Sequence, residues 1–385
     1  MRRSIFPVYK DVRRRLILAL ESSADDTCAA IVSNHREILS NVVMKQDQIH
    51  EQYGGIHPLY ATQGHMKNIS PAISEAIRRA GVAFGDLDAI ATTEGPGMKG
   101  CLQIAMVAAK SLVGVSGIPL VGVHHMQAHA LTCCLTEENP PQFPFYTLLC
   151  SGGHTMIVDA EDVSKMRVLA TTNDDSIGNA FDHAAKLLNI PWSGKAPGAA
   201  LEGFARHTEH LEGHKDEVDC RVKEYRQKLR VPAPSQLLFS YSGLRSAFSR
   251  LVDESDGGDV TRVALARAFQ SAAVAQLADK VTLALSKSTV EPSSLVVSGG
   301  VASNGYLRER LSDVTGRHGL NIYFPAPALC TGGSDLNLPL ANHSYHIYAD
   351  NAAMIAWAAH YKLAKGELAN PATLMPRAKW SLEDM

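Results

Sequence analysis

The sequence predicts an α/β protein built from two related halves. An apolar run, a turn of small polar residues and a second apolar run occur in "LILALESSADDTCAAIV", and the pattern recurs in "FYTLLCSGGHTMIV" at residues 145–158. Such runs are typical of paired β-strands. Helical spacing of apolar residues appears between and after them, in "TQGHMKNISPAISEAIRRAG" and in the long, Ala-rich "TRVALARAFQSAAVAQLADKVTLALSK". Because strand pairs alternate with helices in both halves, we expect a duplicated α/β architecture.

Length and composition exclude several classes of protein. A chain of 385 residues with 45% hydrophobic and 20% charged residues predicts one large or two medium globular domains. The net charge of -2 excludes a global basic field, so a nucleic-acid partner would need local basic patches. Seven cysteines without CxxC or disulfide-framework spacing favour a reducing compartment. No apolar stretch is long enough to span a bilayer, so no membrane partner is expected.

The first 15 residues form a basic extension. The stretch "MRRSIFPVYKDVRRRL" carries six basic residues and the single acid Asp11. This composition is typical of a mitochondrial targeting segment, although it is short and interrupted by Pro7. A solvated basic tail is the alternative interpretation.

Two of the turns and a Gly-Gly element have the features of nucleotide sites. The turn "SSADD" with Asp25 and Asp26, and the turn "SGGH", place hydroxyl and backbone N–H groups where two strands reverse. Tight hairpins also need such residues for steric reasons. In "SLVVSGGVASNGYLRERL" a buried strand, a Gly-Gly turn and a helix beginning near Asn304 follow one another, and helix N-termini favour anions. The three elements together predict a nucleotide-binding cleft.

Paired histidines in "HHMQAH" suggest a metal site. His125 and His129 are four residues apart and share one face of a predicted helix, although buried core histidines show the same spacing. The peptidase pattern HExxH is absent, because no carboxylate lies between the two histidines. The best external carboxylate is Asp350, which precedes the apolar helix "NAAMIAWAAHYKLA" and could instead act as its N-cap.

Taken in order, the motifs resemble those of one family. The chain contains "ESSADDT", "GPGMKG", "HHMQAH", "SGGHT", "FSYSGLRSAF", "SGGVASN" and "DNAAMIAWA". This series resembles the tRNA N6-adenosine threonylcarbamoyltransferase family, long known as O-sialoglycoprotein endopeptidase-like, over about residues 16–366. The details of "SGGHT" and "HEQYGGIHP" are similar to the bacterial and mitochondrial branch.

The resemblance implies a two-lobed actin-like, hexokinase-like (ASKHA) fold, in which duplicated RNase H-like subdomains enclose a central cleft. It places lobe I at residues 16–138 and lobe II at residues 144–331. Residues 350–368 then supply Asp350 and a C-terminal helix that closes the cleft.

The resemblance also implies the site residues. His125, His129 and Asp350 match ligands of one divalent metal ion per subunit, zinc or iron. The positions that match binding residues for the nucleotide and substrate are Cys150, Ser151, Gly152, Gly153, His154, Thr155, Asp182, Gly198 and Asn304. The residues "SGKA" shortly before Gly198 are extra relative to the family pattern. Asp25 and Asp26 are candidates for orienting the substrates, with turn stabilisation as the alternative.

The implied reaction transfers a threonylcarbamoyl group from threonylcarbamoyl-AMP, made by a separate synthase, to tRNA. The acceptor is the exocyclic N6 of the adenosine beside the anticodon in tRNAs that read A-starting codons. A metal held by two imidazoles and a carboxylate could act as a Lewis acid or template. The branch implies a homodimer in mitochondria, with the cytoplasm as the alternative. An actin-like ATP-dependent kinase and a metallopeptidase are the competing functions.

A basic segment is the candidate tRNA surface. In "CRVKEYRQKLRVPAP", Arg226, Lys228 and Arg230 are crowded together and could meet phosphates. A solvated helix is the alternative interpretation.

Residues 332–349, "GGSDLNLPLANHSYHIYA", depart from the family pattern. They lack helical or strand periodicity and immediately precede Asp350. They are either a surface insertion or a translated intron in a eukaryotic gene, and the second interpretation is favoured.

Overall fold

The computed structural model describes residues 13–46, 49–50, 53, 55–192, 196–206, 213–288, 291–324 and 351–385. Its strands are β1 (Leu16–Glu21), β2 (Thr27–Ser33), β3 (Ile38–Met44), β4 (Ala89–Gly95), β5 (Leu120–His124), β6 (Phe145–Cys150), β7 (Thr155–Ala160), β8 (Met166–Thr172), β9 (Leu238–Phe239), β10 (Ser294–Ser298) and β11 (Asn321–Tyr323). Its α-helices are α1 (Pro58–Ala80), α2 (Lys99–Ser116), α3 (His125–Thr136), α4 (Ile177–Leu187), α5 (Pro197–Arg206), α6 (Lys215–Lys228), α7 (Ser242–Asp253), α8 (Asp259–Ser286), α9 (Gly305–Arg317) and α10 (Ala352–Ala364).

The two sheets repeat one strand order. The first sheet runs β3-β2-β1-β4-β5, and the second runs β11-β10-β6-β7-β8-β9. If the short edge strand β9 is left out and the second sheet is read from its other end, its order is β8-β7-β6-β10-β11. In chain order within each half, this sequence of strands is the same as that of the first sheet. The duplicated α/β architecture is therefore confirmed, and both predicted strand pairs begin their halves.

The chain divides into two compact units. Unit 1 comprises the described parts of Met1–Phe143, Ala160–Arg167 and Pro325–Met385, and unit 2 comprises those of Pro144–Asp159 and Val168–Phe324. The predicted division placed all of residues 144–331 in one lobe. In the structure, Ala160–Arg167 group with unit 1, where Gln127 on α3 donates to the carbonyl of Val163 at 2.8 Å.

The core of unit 1 forms on its buried central strands. β1 and β2 are buried at every position. Leu16, Leu18 and Leu20 share one core with apolar residues of α1 and α2. Helix α10 packs on β1 and β2 and is buried from Ala352 to Tyr361. Strands covered on both faces are mostly apolar along their length, which explains the continuous apolar runs in the sequence.

The core of unit 2 is organised by α8. This helix is 28 residues long and buries most of its apolar residues, as its Ala-rich periodicity predicts. The ring of Phe269 lies 4.6 Å from that of Phe248 and 6.0 Å from that of Phe181, measured between centroids. These contacts join α4 and α7 to the long helix.

In each unit the predicted site residues follow the carboxyl ends of parallel strands. In unit 1, β1, β4 and β5 are mutually parallel and end at Glu21, Gly95 and His124. In unit 2, β6 and β10 are parallel and end at Cys150 and Ser298. The carboxyl edge of a parallel sheet is where α/β proteins bind their ligands. Across the described residues, no helix combines the length and the apolar character needed to cross a membrane.

Candidate functional site

The histidine pair of unit 1 lies at the start of α3, directly after β5. The Nε2 atoms of His125 and His129 are 3.2 Å apart, and the two rings are nearly perpendicular at 89°. Both residues are buried, with exposed fractions of 5% and 2%. Because β5 passes into α3 without a loop, the strand itself sets the direction of the pair.

The spacing of the two nitrogens fits a metal ion. Two imidazole nitrogens that bind one tetrahedral ion at about 2.0–2.1 Å lie about 3.3 Å from each other. The observed 3.2 Å is close to this value. An N–H···N hydrogen bond has a similar length, so the protein without metal can keep the same arrangement.

Glu21 orients the first histidine. Its Oε2 lies 3.1 Å from Nδ1 of His125, so the carboxylate accepts the Nδ1 proton and leaves the Nε2 lone pair for a metal. The same carboxylate also accepts from the hydroxyl of Thr93 and from the backbone N–H of Ser23. Glu21 is 1% exposed. A buried carboxylate with three donors is a fixed partner for an imidazole.

His124 has a different role from its neighbour. Its Nδ1 accepts from the backbone N–H of Met126 at 3.2 Å and thereby caps α3. Its Nε2 then carries the proton and donates to the carbonyl of Trp380 at 3.2 Å. Both ring nitrogens are engaged, so His124 has no lone pair for a metal.

The third predicted ligand, Asp350, lies outside the described residues. Asn351 follows it, and its side-chain oxygen accepts from the N–H of Met354 at 3.0 Å as the N-cap of α10. The capping role considered for Asp350 therefore belongs to Asn351. Within the described ranges, no group of three or more His, Cys, Asp or Glu side chains is placed to hold a metal.

The turn after β1 carries Asp25 and Asp26, which are half-buried. His65 on α1 braces this turn, because its Nε2 donates to the carbonyl of Ala24 at 3.1 Å and its Nδ1 contacts the hydroxyl of Thr27 at 2.8 Å. Burial lowers the pKa of His65, which favours the neutral imidazole that these bonds require. In the same turn, the hydroxyl of Ser23 lies 3.4 Å from Nδ1 of His125. The two aspartates thus follow a residue that contacts a predicted ligand.

In unit 2, residues 151–154 form a tight turn, and Thr155 after it is buried as the first residue of β7. The N–H of Ser151 donates to the carbonyl of His154 at 2.8 Å, and the N–H of His154 donates to the Ser151 hydroxyl at 3.1 Å. The hydroxyl of Ser176 donates to the carbonyl of Gly152. The backbones of Gly152 and Gly153 are exposed. An exposed, braced backbone turn of this kind can receive phosphate oxygens.

The Gly-Gly turn after β10 packs directly on the end of β6. Gly299 has φ 99°, which L side chains rarely adopt, and a Cβ there would collide with the carbonyl oxygen of Cys150. The Sγ of Cys150 lies 3.6 Å from the carbonyl oxygen of Ser298. Cys150 is fully buried in the core of unit 2, so it anchors the start of the turn that follows it.

Helix α5 connects the remaining residues that are predicted to bind the nucleotide. The carboxylate of Asp182 accepts from the N–H of Gly198 at 3.0 Å, and burial raises the pKa of Asp182. One turn further along α5, Glu202 accepts from the N–H of Gly305 at 2.8 Å. The neighbouring Asn304 caps α9, as its side chain accepts from the N–H of Leu307 at 3.0 Å. Asp182, Gly198 and Asn304 therefore belong to one connected cluster, with the predicted helix start at Asn304 confirmed.

The basic segment of α6 is partly compensated by acids. Lys228 pairs with Glu224 at 2.7 Å, and Arg226 donates to the carbonyl of Leu229 at 2.6 Å. Arg230 is exposed just beyond the helix. A phosphate that binds here must compete with these partners.

Sequence reasoning missed Glu21, which contacts His125 in unit 1, and Glu202, which accepts from Gly305 in unit 2. Glu21 had a local signal, since a charged residue that ends the apolar run "LILALE" at a buried position needs a partner. Glu202 had none, because one acid on an amphipathic helix is ordinary.

Comparisons with known proteins identify the family. The family model for tRNA N6-adenosine threonylcarbamoyltransferase matches residues 37–333. The protein of that name from Novosphingobium aromaticivorans is 36% identical over 380 residues, which cover 96% of each chain. The one from Moorella thermoacetica is 37% identical over 361 residues, which cover 92% of this chain and 93% of the relative.

Among solved structures, component A of (R)-2-hydroxyglutaryl-CoA dehydratase from Acidaminococcus fermentans is similar with a TM-score of 0.49. It shares 14% sequence identity, and the match covers 91% of this chain and 99% of that one. The family match extends over most of the chain, and the relatives match it almost end to end. The chain belongs to the tRNA N6-adenosine threonylcarbamoyltransferase family and is a tRNA-modifying transferase with an α/β fold.

Proposed function

We propose that this chain transfers the threonylcarbamoyl group of threonylcarbamoyl-AMP to the N6 of the adenosine adjacent to the anticodon, in tRNAs that read A-starting codons. The observation that carries the metal-assisted form of this proposal is the buried His125–His129 pair, with Nε2 atoms 3.2 Å apart and Glu21 behind His125. Family membership supports the substrate class.

The metal site of the proposal consists of His125, His129 and Asp350, which hold one divalent ion, zinc or iron. When bound, the ion supplies a positive charge that orients and polarises oxygens of the threonylcarbamoyl group. Glu21 keeps the proton on Nδ1 of His125, so the Nε2 lone pair stays directed at the ion. Asp25 and Asp26 orient the substrates from the braced turn after β1.

Unit 2 holds the leaving group in this proposal. The exposed backbone of Gly152 and Gly153 receives the phosphate of the adenylate. The cluster around Asp182, Gly198 and Asn304 binds the nucleoside. A carbamoyl–phosphate mixed anhydride already has a good leaving group, so positioning and charge stabilisation are the main tasks of the protein.

The partners follow from the same proposal. A separate synthase supplies the adenylate, and Arg226, Lys228 and Arg230 contribute to tRNA binding. The N-terminal basic extension directs a homodimer to mitochondria, with the cytoplasm as the alternative location.

The test is transfer of labelled threonine to an unmodified tRNA that reads an A-starting codon, with a synthase supplied to make the adenylate. Wild type is compared with His129→Ala and with the control His35→Ala, which alters an exposed histidine of the same unit. We expect label on tRNA with wild type and the control, and loss of both label and bound metal with His129→Ala. Full transfer by a metal-free His129→Ala protein would refute the metal-assisted mechanism.

A further inference from the structure

Residues 374–380, near the C-terminus, lie on the carboxyl edge of the unit 1 sheet. The backbone N–H of Arg377 donates to the carbonyl of Glu94 at 2.8 Å, and the N–H of Gly97 donates to the carbonyl of Ala378 at 3.3 Å. A Cβ on Gly95 would collide with the carbonyl oxygen of Arg377. The segment therefore packs backbone to backbone on the end of β4.

The first residue of the segment anchors it in the core. Leu374 is 7% exposed and belongs to the hydrophobic core formed with β1, α1 and α2. Its carbonyl also accepts from Nζ of Lys110 on α2 at 3.1 Å. These two contacts fix the segment independently of its last residues.

The last residues of the segment 374–380 contact His124, the residue that precedes α3. The guanidinium of Arg377 pairs with Glu94 at 2.7 Å and lies 4.4 Å above the ring of Trp380. The indole of Trp380 in turn lies against the imidazole of His124, with 4.5 Å between ring centroids, and its carbonyl accepts the Nε2 proton of that imidazole. A cation above an aromatic face is attracted by the quadrupole of the ring, so the guanidinium of Arg377 helps to hold the indole in place.

His124 transmits this contact to α3, because its Nδ1 caps the helix at the N–H of Met126. We propose that residues 374–380 hold α3 in place and that Trp380 is the positioning residue, acting through His124 on the direction of His125 and His129. The effect on the metal rests on the metal site proposed above, whereas the effect on α3 does not.

The proposal predicts a result for one substitution with matched controls. Trp380→Ala removes the ring that packs on His124, Trp380→Phe keeps an aromatic ring there, and Met375→Ala alters a residue of the same segment that is 62% exposed. Two quantities are measured for each folded protein: amide hydrogen exchange of residues 125–136 without metal, and the affinity for Zn²⁺.

With Trp380→Ala we expect exchange in α3 to accelerate and the Kd for Zn²⁺ to rise about tenfold or more, as for other residues that orient metal ligands. Trp380→Phe and Met375→Ala should resemble wild type in both measurements. Trp380→Leu replaces the alanine variant if that protein does not fold, because it keeps an apolar side chain without a ring.

Wild-type exchange in α3 of a folded Trp380→Ala or Trp380→Leu protein would overturn the inference. If wild type itself fails to bind Zn²⁺ or Fe²⁺, the metal site of the proposed function falls, and the exchange of α3 still decides whether Trp380 positions the helix. If Zn²⁺ binds wild type and the alanine variant equally, Trp380 does not act on the ligands.

Discussion

At the scale of single residues, Glu21 differs most from what its position in a buried strand would suggest. The carboxylate is 1% exposed and ends the otherwise apolar strand β1. Its three donors, from Ser23, Thr93 and His125, explain how the charge is tolerated. Its place behind His125 explains why a charge is useful there.

We therefore predict that Glu21→Gln weakens metal binding with little change in fold. The amide can turn its NH₂ group toward Nδ1 of His125, which would move the imidazole proton to Nε2 and remove the ligand lone pair. The expected increase in Kd for Zn²⁺ is about 10-fold to 100-fold, measured by titration. Glu37→Gln, at an exposed acid of the same unit, is the control. Equal affinities of the Glu21→Gln and wild-type proteins would show that Glu21 does not orient the ligand.

A second residue, His360, should make the free energy of unfolding depend on pH. His360 in α10 donates from Nε2 to the carbonyl of Val32 at 3.0 Å, and burial lowers its pKa to about 4 from the ordinary value of 6.5. Between these pH values the unfolded chain binds a proton that the folded chain does not. The free energy of unfolding should therefore fall as the pH drops from about 6.5 to about 4, by up to about 3 kcal/mol from this group.

The variant His360→Gln isolates this contribution. Its amide can still donate to Val32 but cannot take up a proton, so its stability should change less between about pH 7 and about pH 5 than that of wild type. Urea unfolding at the two pH values measures the difference. The same pH dependence in both proteins would mean that His360 is not the responsible group.

At the scale of elements, α3 is fixed at both ends by side chains outside the helix. His124 caps its start, and Arg36, from the β2–β3 turn, reaches its end. The guanidinium donates to the carbonyl of Leu135 at 3.2 Å and to that of Glu137. The last carbonyls of a helix have no partner within the helix, and a cation there also interacts favourably with the helix dipole.

We predict that Arg36→Ala destabilises unit 1 by about 1–2 kcal/mol, through the loss of charged hydrogen bonds to α3. Arg36→Lys keeps the positive charge but lacks the planar guanidinium, so its free energy of unfolding should lie between those of wild type and Arg36→Ala. Denaturant unfolding gives the free energies. An unchanged stability of Arg36→Ala would show that solvent replaces the guanidinium at these carbonyls without loss.

At the scale of the whole molecule, sequence patterns predicted the duplication and the helix starts but not the long-range braces. The strand pairs at 16–32 and 145–158 are local, so the apolar runs were sufficient to predict the strand pair that begins each half. Trp380 and His124 lie 256 residues apart, and neither has a local pattern that indicates the other. The hydrogen bond from Gln127 to the carbonyl of Val163, between residues 36 positions apart, likewise had no local signal. The predictions for Asp350, residues 1–12 and residues 332–349 concern residues outside the described chain and stay predictions.

The separation of the predicted ligands between two units leads to the last prediction. The histidine pair belongs to unit 1, and the cluster around Asp182 belongs to unit 2. His129→Ala should abolish metal binding but leave the affinity for AMP unchanged. Asp182→Ala should weaken AMP binding and leave the affinity for Zn²⁺ unchanged. The proposed mechanism uses both ligands, so both variants should lose transfer to tRNA.

Calorimetric titration of each variant with AMP and with Zn²⁺ measures the four affinities, and a transfer assay measures the product. Their effects on the free energy of unfolding should add in the double variant, since the two residues belong to different units. Loss of AMP binding in folded His129→Ala would contradict this division, and so would loss of Zn²⁺ binding in folded Asp182→Ala. Either result would mean that a residue of one unit affects binding of the ligand that is predicted for the other unit.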